Sequence, residues 1–316
     1  MRLVVGECIA DLHPSEAGGV GDATTYTRRP GGAPANVAVG LARLGDAPRF
    51  WTRLGRDGFG DFLADALAAE GVPDDLVERD EEAPTGLAVV GRDAGGERSF
   101  SLYLDGTASV ELRPGTVDDA LASAEWVHVG GVELAFEPAR SAVLDLLDRV
   151  SGDATVSFDP NARPGLWREF DYADTLDRVL PAVDVVVASA EDLRPAGFAG
   201  DASELARRLV DAGPHTALLT LGPNGALGRA TADAPWGTGE ADHGGFAVDV
   251  IDTTGAGDAF TAGAITALSE GRALADAIRF ANAVGAASTT AEGAMAALPD
   301  RESVESVLAG ESEREG

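Results

Sequence analysis

Two glycines between two aspartates, Asp252-Thr253-Thr254-Gly255-Ala256-Gly257-Asp258-Ala259-Phe260, form the part of this chain best suited to chemistry. The apolar run Phe246 to Ile251 leads in as an expected strand. A helical pattern through Phe260, Ala264, Ala267 and Leu268 leads out. Gly255 and Gly257 allow the tight bend between them. The first N–H groups of the new helix then point outward at the positive end of its dipole, a setting for an anion such as a phosphoryl group. An aspartate inside such an anion nest is electrostatically odd unless Asp258 takes a proton from a nucleophile that attacks phosphorus. A glycine turn with a solvated aspartate is the plainer alternative. The paired aspartates and the strand-to-helix context favour the chemical one.

The elements that must position this segment follow an alternating pattern. Expected strands are Leu3–Ile9, Ala124–Val129, Thr155–Asp159, Val183–Ala188, Thr216–Thr220 and Phe246–Ile251. Expected helices are Ala35–Leu44, Asp61–Glu70, Pro138–Val150, Ala202–Ala212, Asp258–Glu270 and Leu274–Ser288. Such alternation points to an α/β fold with a mostly parallel sheet. Residues 11–30 and 84–108, rich in Thr, Gly and Arg with short alternating runs, are expected to form a small β-lid over the carboxyl edge of the sheet, where open α/β folds bind ligands. No linker divides the chain, so one domain over 1–316 is expected. Beyond Pro299 the sequence implies a short helix that frays.

Composition narrows the function classes. Among 316 residues, 24 are basic, all of them arginine, against 53 Asp and Glu, and the formal net charge is −29. Such a surface repels nucleic acid and anionic membranes. Hydrophobic residues make up 45 % and the acids are spread along the chain, which favours a folded protein over an acidic tail. The acid excess without lysine resembles proteins of salt-loving microbes. The single cysteine, Cys8, excludes an internal disulfide, and the four histidines show no ligand spacing. With no run approaching the ~20 apolar residues of a membrane span and no signal-peptide pattern, a cytoplasmic protein is expected.

Five separated segments, in order, resemble those of the ribokinase-type (PfkB) carbohydrate kinases. They are Gly31-Gly32-Ala33-Pro34-Ala35-Asn36, Arg53-Leu54-Gly55 with Asp57-Gly58-Phe59-Gly60, Asp159-Pro160-Asn161-Ala162-Arg163, Leu221-Gly222-Pro223-Asn224-Gly225, and the aspartate-glycine segment above. The resemblance implies a ribokinase-like three-layer α/β sandwich with a small β-lid. It implies ATP as phosphoryl donor, Mg²⁺, and K⁺ as a monovalent cation. It implies Asp258 as catalytic base, with the backbone of Gly255, Ala256 and Gly257 holding the transferring phosphate. Asp11, Gly31, Gly32, Asn36, Tyr103 and Arg163 would meet the sugar. Thr220, Gly222, Gly225 and Asn282 would border the nucleotide, and Asp252 and Thr254 would bind the monovalent cation.

Two departures stand out. Relatives carry N-x-x-E near the metal where this chain has Ser189-Ala190-Glu191-Asp192, so Asp192, or else Glu191, would replace the glutamate. In the lid, Tyr103-Leu104 stands where many relatives have Tyr-Arg. The wording of the segments looks most like fructokinases. The alternatives are 2-keto-3-deoxygluconate kinase, nucleoside kinase and, outside catalysis, a sugar-binding protein. A dinucleotide-binding oxidoreductase would need G-x-G-x-x-G after the first strand, and a P-loop kinase would need its lysine; neither is present. A homodimer is expected, with Phe100, Leu102 and Leu104 of the lid, or their neighbours, covered by a second copy.

Overall fold

A computed structural model describes residues 1–15, 20, 23–92 and 98–315. Parts of the two expected lid segments, 16–19, 21–22 and 93–97, lie outside the described residues. The strands are β1 (Arg2–Val5), β2 (Ile9–Pro14), β3 (Tyr26–Gly31), β4 (Arg49–Gly55), β5 (Val77–Asp80), β6 (Leu87–Arg92) and β7 (Arg98–Tyr103), then β8 (Trp126–Gly130), β9 (Thr155–Asp159), β10 (Val185–Ser189), β11 (Thr216–Thr220), β12 (Ala226–Ala230) and β13 (Gly239–His243). Nine of them form one sheet in the order β13-β12-β11-β10-β9-β8-β1-β4-β5, and four form a second sheet in the order β3-β2-β6-β7. In the large sheet every pairing from β11 to β5 is parallel, and only the pairings of β12, with β11 and with β13, are antiparallel.

The strands of the large sheet are apolar on both faces, as a parallel sheet covered twice requires. Successive side chains alternate between two hydrophobic clusters. Val4, Val185, Val187 and Leu218 join the first cluster, while Leu3, Val5, Val186, Ala217 and Leu219 join the second. Helices Ala33–Arg43, Gly58–Ala69, Ala256–Ser269 and Leu274–Ser288 cover the first face. Helices Ala139–Arg149, Tyr172–Val179 and Ala202–Asp211 cover the second. The chain closes on a helix, Arg301–Glu315, longer than the short frayed one expected.

Two expected strands differ in the structure. The run Leu3–Ile9 is split at Gly6, whose φ of 148° turns the chain out of the large sheet, so Ile9 already begins the lid. The run Phe246–Ile251 forms no strand. The polar β13 takes the sheet edge instead, and Gly244-Gly245, with Gly245 at φ 82°, breaks the extended chain after it. Val250 and Ile251 are 61 % and 62 % exposed and look into the cleft described below. The lid is anchored at Asp57. Its carboxylate caps Gly58–Ala69 through the Phe59 and Gly60 N–H groups and also accepts from the Thr85 N–H at 2.8 Å, just before β6. The D-G-F-G segment is therefore a structural clamp between helix and lid.

Candidate active site

A cleft of about 780 Å³ opens between the carboxyl ends of the large-sheet strands and the lid. Gly255, in the left-handed region at φ 79°, is the N-cap of Ala256–Ser269, and no side chain caps it. The N–H groups of this first turn are thus left for a ligand, except that Ala256 N–H donates back to Thr253 O at 3.2 Å. Ala256 therefore shapes the turn, while Gly255 and Gly257 line the cleft.

Asp258 stands in this first turn, and Asn36 Nδ2 donates to its Oδ2 at 2.7 Å. The meeting follows from helix packing. Gly40, four residues on from Asn36, faces Ala262, four residues on from Asp258. A Cβ at Gly40 would come within 2.7 Å of the Ala262 methyl carbon. The missing side chain lets the helices approach until the paired residues one turn earlier touch. Burial pushes the Asp258 carboxyl up to about 7, with the charges of Glu7 and Asp11 adding to it, while the Asn36 hydrogen bond and Arg163 pull the other way. A carboxyl balanced near neutrality is suited to accept a proton.

Asp11 lies on β2, and so on the lid, rather than after a strand of the large sheet. It is buried, and burial followed by the Glu7 charge raises it to about 7. Gly31 makes room for it, since a Cβ there would fall 2.3 Å from Asp11 Oδ2. Gly32, at φ 102°, caps Ala33–Arg43 and lines the cleft with Asn36, Asp11, Arg163 and Asp258. Tyr103 departs from expectation. Strand parity puts Phe100, Leu102 and Leu104 in the cleft wall and leaves Tyr103 61 % exposed outside it. The same parity corrects the reason given for a dimer: the Phe100-Leu102-Leu104 face is turned toward this chain's own cleft.

On the nucleotide side, Thr220 lines the cleft. Gly222, Gly225 and Asn282 lie beside it. Gly225 packs so closely on His243–Gly245 that a Cβ would be 1.9 Å from His243 O, and Asn282 Nδ2 donates to that same oxygen at 3.2 Å. They build the loop rather than the cleft wall. Asp252 and Thr254 do line the cleft. Asp252 accepts from Thr254 N–H and from Gly293 N–H, both at 2.9 Å, which ties the turn to the loop after Leu274–Ser288.

Asp192 is committed to the fold. Its Oδ2 takes the Ser189 N–H and hydroxyl, closing a capping box, and its Oδ1 takes the Ala162 N–H at 3.0 Å. Both carboxylates expected in place of the metal-site glutamate, Asp192 and Glu191, line the cleft, and of the two Glu191 is the more exposed. No cluster of three or more metal-ligating side chains occurs among the described residues. Two carboxyls escaped the sequence reading. Asp159 is raised well above the carboxylate range by burial and by Asp192 and Asp258, and Glu7 is buried in the cleft wall.

The pfkB family carbohydrate kinase model matches residues 2–301. A fructokinase of Klebsiella pneumoniae is 37 % identical, over 96 % of this chain and 98 % of its own. A fructokinase of Xylella fastidiosa with bound ATP superposes with a TM-score of 0.87 at 32 % identity, covering 98 % of each chain. A fructokinase of Vibrio cholerae O395 with fructose, ADP and calcium ion superposes with a TM-score of 0.84 at 33 % identity, covering 97 % of this chain and 98 % of that one. Matched along nearly its whole length, with an uncapped helix N-terminus that carries a buried carboxyl in its first turn, the chain belongs to the pfkB family of carbohydrate kinases.

Proposed function

We propose that this sugar kinase transfers the γ-phosphoryl group of ATP to fructose. The observation that carries the reading is the Asn36–Asp258 pair set against the uncapped turn at Gly255, with Asp11 and Arg163 in the same cleft wall. Asp258 would accept the proton of the attacking hydroxyl as its oxygen bonds to phosphorus. The N–H groups of the helix's first turn would meet the charge that grows on the transferring oxygens. Asp11 and Asn36 would hold the sugar's other hydroxyls. Thr220 would border the nucleotide, with Gly222, Gly225 and Asn282 supporting that wall from behind.

A divalent ion, Mg²⁺ in this reading, would supply charge neutralisation at the phosphates. Mg²⁺ commonly uses one or two carboxylates plus water and phosphate oxygens. The exposed Glu191 fits that demand, and Asp192, which lines the same cleft while holding three hydrogen bonds, is the alternative. Asp252 and Thr254 would hold K⁺ beside the anion site. We also propose a homodimer through the outer face of the lid, where Tyr26 and Tyr103 are exposed.

The test is Asp258→Asn, which keeps the shape and removes the proton acceptor. Turnover should fall by roughly 10²–10⁴-fold, with ATP and fructose binding, read by calorimetry, close to wild type. A variant that keeps most of its kcat would show that another group takes the proton.

A further inference from the structure

Glu7 and Glu133 are two fully buried acids facing one another beneath the sugar side of the cleft. Glu7 follows β1 and is 4 % exposed, while Glu133, in the short 3₁₀ turn Val132–Ala135 after β8, is 0 % exposed. β1 and β8 are neighbours, with Val5 opposite Val129, so the residues beyond their carboxyl ends meet. Two glycines clear the space. A Cβ at Gly6 or Gly130 would stand 3.2 or 3.5 Å from Glu133 Oε2. Glu7 Oε1 accepts the Ala33 N–H at 3.0 Å. If both side chains are carboxylates, Glu7 Oε2 and both oxygens of Glu133 are left without a donor. Buried carboxylates in that condition are strongly disfavoured, and one proton between them neutralises one charge and pairs one Glu133 oxygen with Glu7 Oε2.

Resting on the reading of Asp258 as base, we propose that Glu133 is a protonated acid donating to Glu7, and that Glu7 is a positioning residue for Asp258. Glu7 holds the first N–H of the helix whose Asn36 grips that base. Burial raises both acids, and because Glu7 already accepts the Ala33 N–H while neither Glu133 oxygen has a donor, Glu133 is the proton carrier. The charge kept by Glu7 raises Asp258 and Asp11. The groups facing Glu7 are Glu133 from the turn after β8, Arg163 from the loop after β9, Asp11 from β2 and Asp258 from its helix. Its neighbour Cys8 stays a neutral thiol, because burial and these charges push it up. The Arg163 cation acts on Glu7 and Asp258 and lowers both alike.

The experiment compares Glu7→Gln, Glu133→Gln and wild type through pH profiles of kcat/KM for the fastest sugar, thermal melting, and infrared spectra at neutral pH. Glu7→Gln removes the charge, so the acidic limb should move to lower pH by roughly half a unit to one unit. Glu133→Gln supplies a neutral donor where one already stands, so limb and melting temperature should match wild type. Its difference spectrum should lose one protonated-carboxyl C=O band. A limb that moves down in Glu133→Gln, or the absence of that band in wild type, would overturn the proton assignment. An unmoved limb in Glu7→Gln would overturn the coupling to Asp258. If Glu7→Gln does not fold, the Glu133→Gln profile and spectrum decide alone. Asp258→Asn separates the two ideas, because its loss of turnover tests the base while the infrared band tests the acid pair.

Discussion

Replacing Asn36 by leucine removes the one hydrogen bond that holds the proposed base ionised while keeping a side chain of similar volume. In the parent chain the Asp258 carboxyl sits at about 7, so at pH 8 roughly 90 % of it is ionised and at pH 6 roughly 10 %. A hydrogen bond to a charged group contributes about 1.5–3 kcal/mol, so losing it strengthens proton binding by roughly tenfold to a hundredfold. With the proton held that much more tightly, kcat/KM should fall by roughly twofold to tenfold at pH 8 and by roughly tenfold to a hundredfold at pH 6. The sign follows from charge: an unpartnered buried carboxylate prefers its neutral form, and only the ionised form accepts a proton. The assay is a coupled ADP-release measurement from pH 6 to 9.5 at fixed ionic strength. Lost sugar contacts would lower activity by the same factor at every pH. A ratio of variant to wild type that does not change with pH would therefore refute the argument, even if the variant were much slower.

Fructose should be used with a higher kcat/KM than 2-keto-3-deoxygluconate, because Leu104 rather than a cation lines the lid side and Asp11 would repel a carboxylate; the opposite order in parallel assays would point to Arg163 as the acid's partner. Stability and activity should rise with salt, since −29 charges repel one another until screened. KCl should outperform NaCl in the activity assay if Asp252 and Thr254 bind K⁺, and equal rates would remove that site while leaving the general salt effect. Light scattering should give twice the chain mass, 2 × 32.2 kDa, and a monomer under assay conditions would dispose of the lid interface.

What could be read from the sequence depended on how local the cause was. The Gly255 turn was legible because backbone geometry and helix start are encoded within a few residues. The β4 and β5 strands were not expected, and neither were β12 and β13. Val77-Glu78-Arg79-Asp80 and Gly239-Glu240-Ala241-Asp242-His243 carry one apolar residue each, as edge strands can. Phe246–Ile251 misled for the opposite reason, because apolar residues that face a ligand look in sequence like residues that face a core. Tyr103 was assigned by its neighbours in a motif, whereas strand parity decides which neighbour reaches the cleft. Asp192 was read only as a metal ligand, and its part in a capping box with Ser189 was not anticipated. Glu7 and Glu133 are 126 positions apart, and nothing in either segment signals that the two carboxyls meet.

The two sheets share no strand, and the groups proposed to surround the acceptor sugar are divided between them. Asp11 rides on β2 of the lid, while Asn36 and Asp258 ride on helices packed to the large sheet. The Gly255 turn, proposed to bind the phosphoryl group, belongs wholly to the second body. A sugar with several hydroxyls can bridge the two bodies; a water molecule cannot. If these groups act as proposed, the fold would tell its acceptor from the solvent without a pocket that excludes water by size. Water can reach the base, but it cannot draw Asp11 toward it. On this architecture, wasteful hydrolysis of the phosphoryl donor is restrained by the acceptor's reach rather than by its fit.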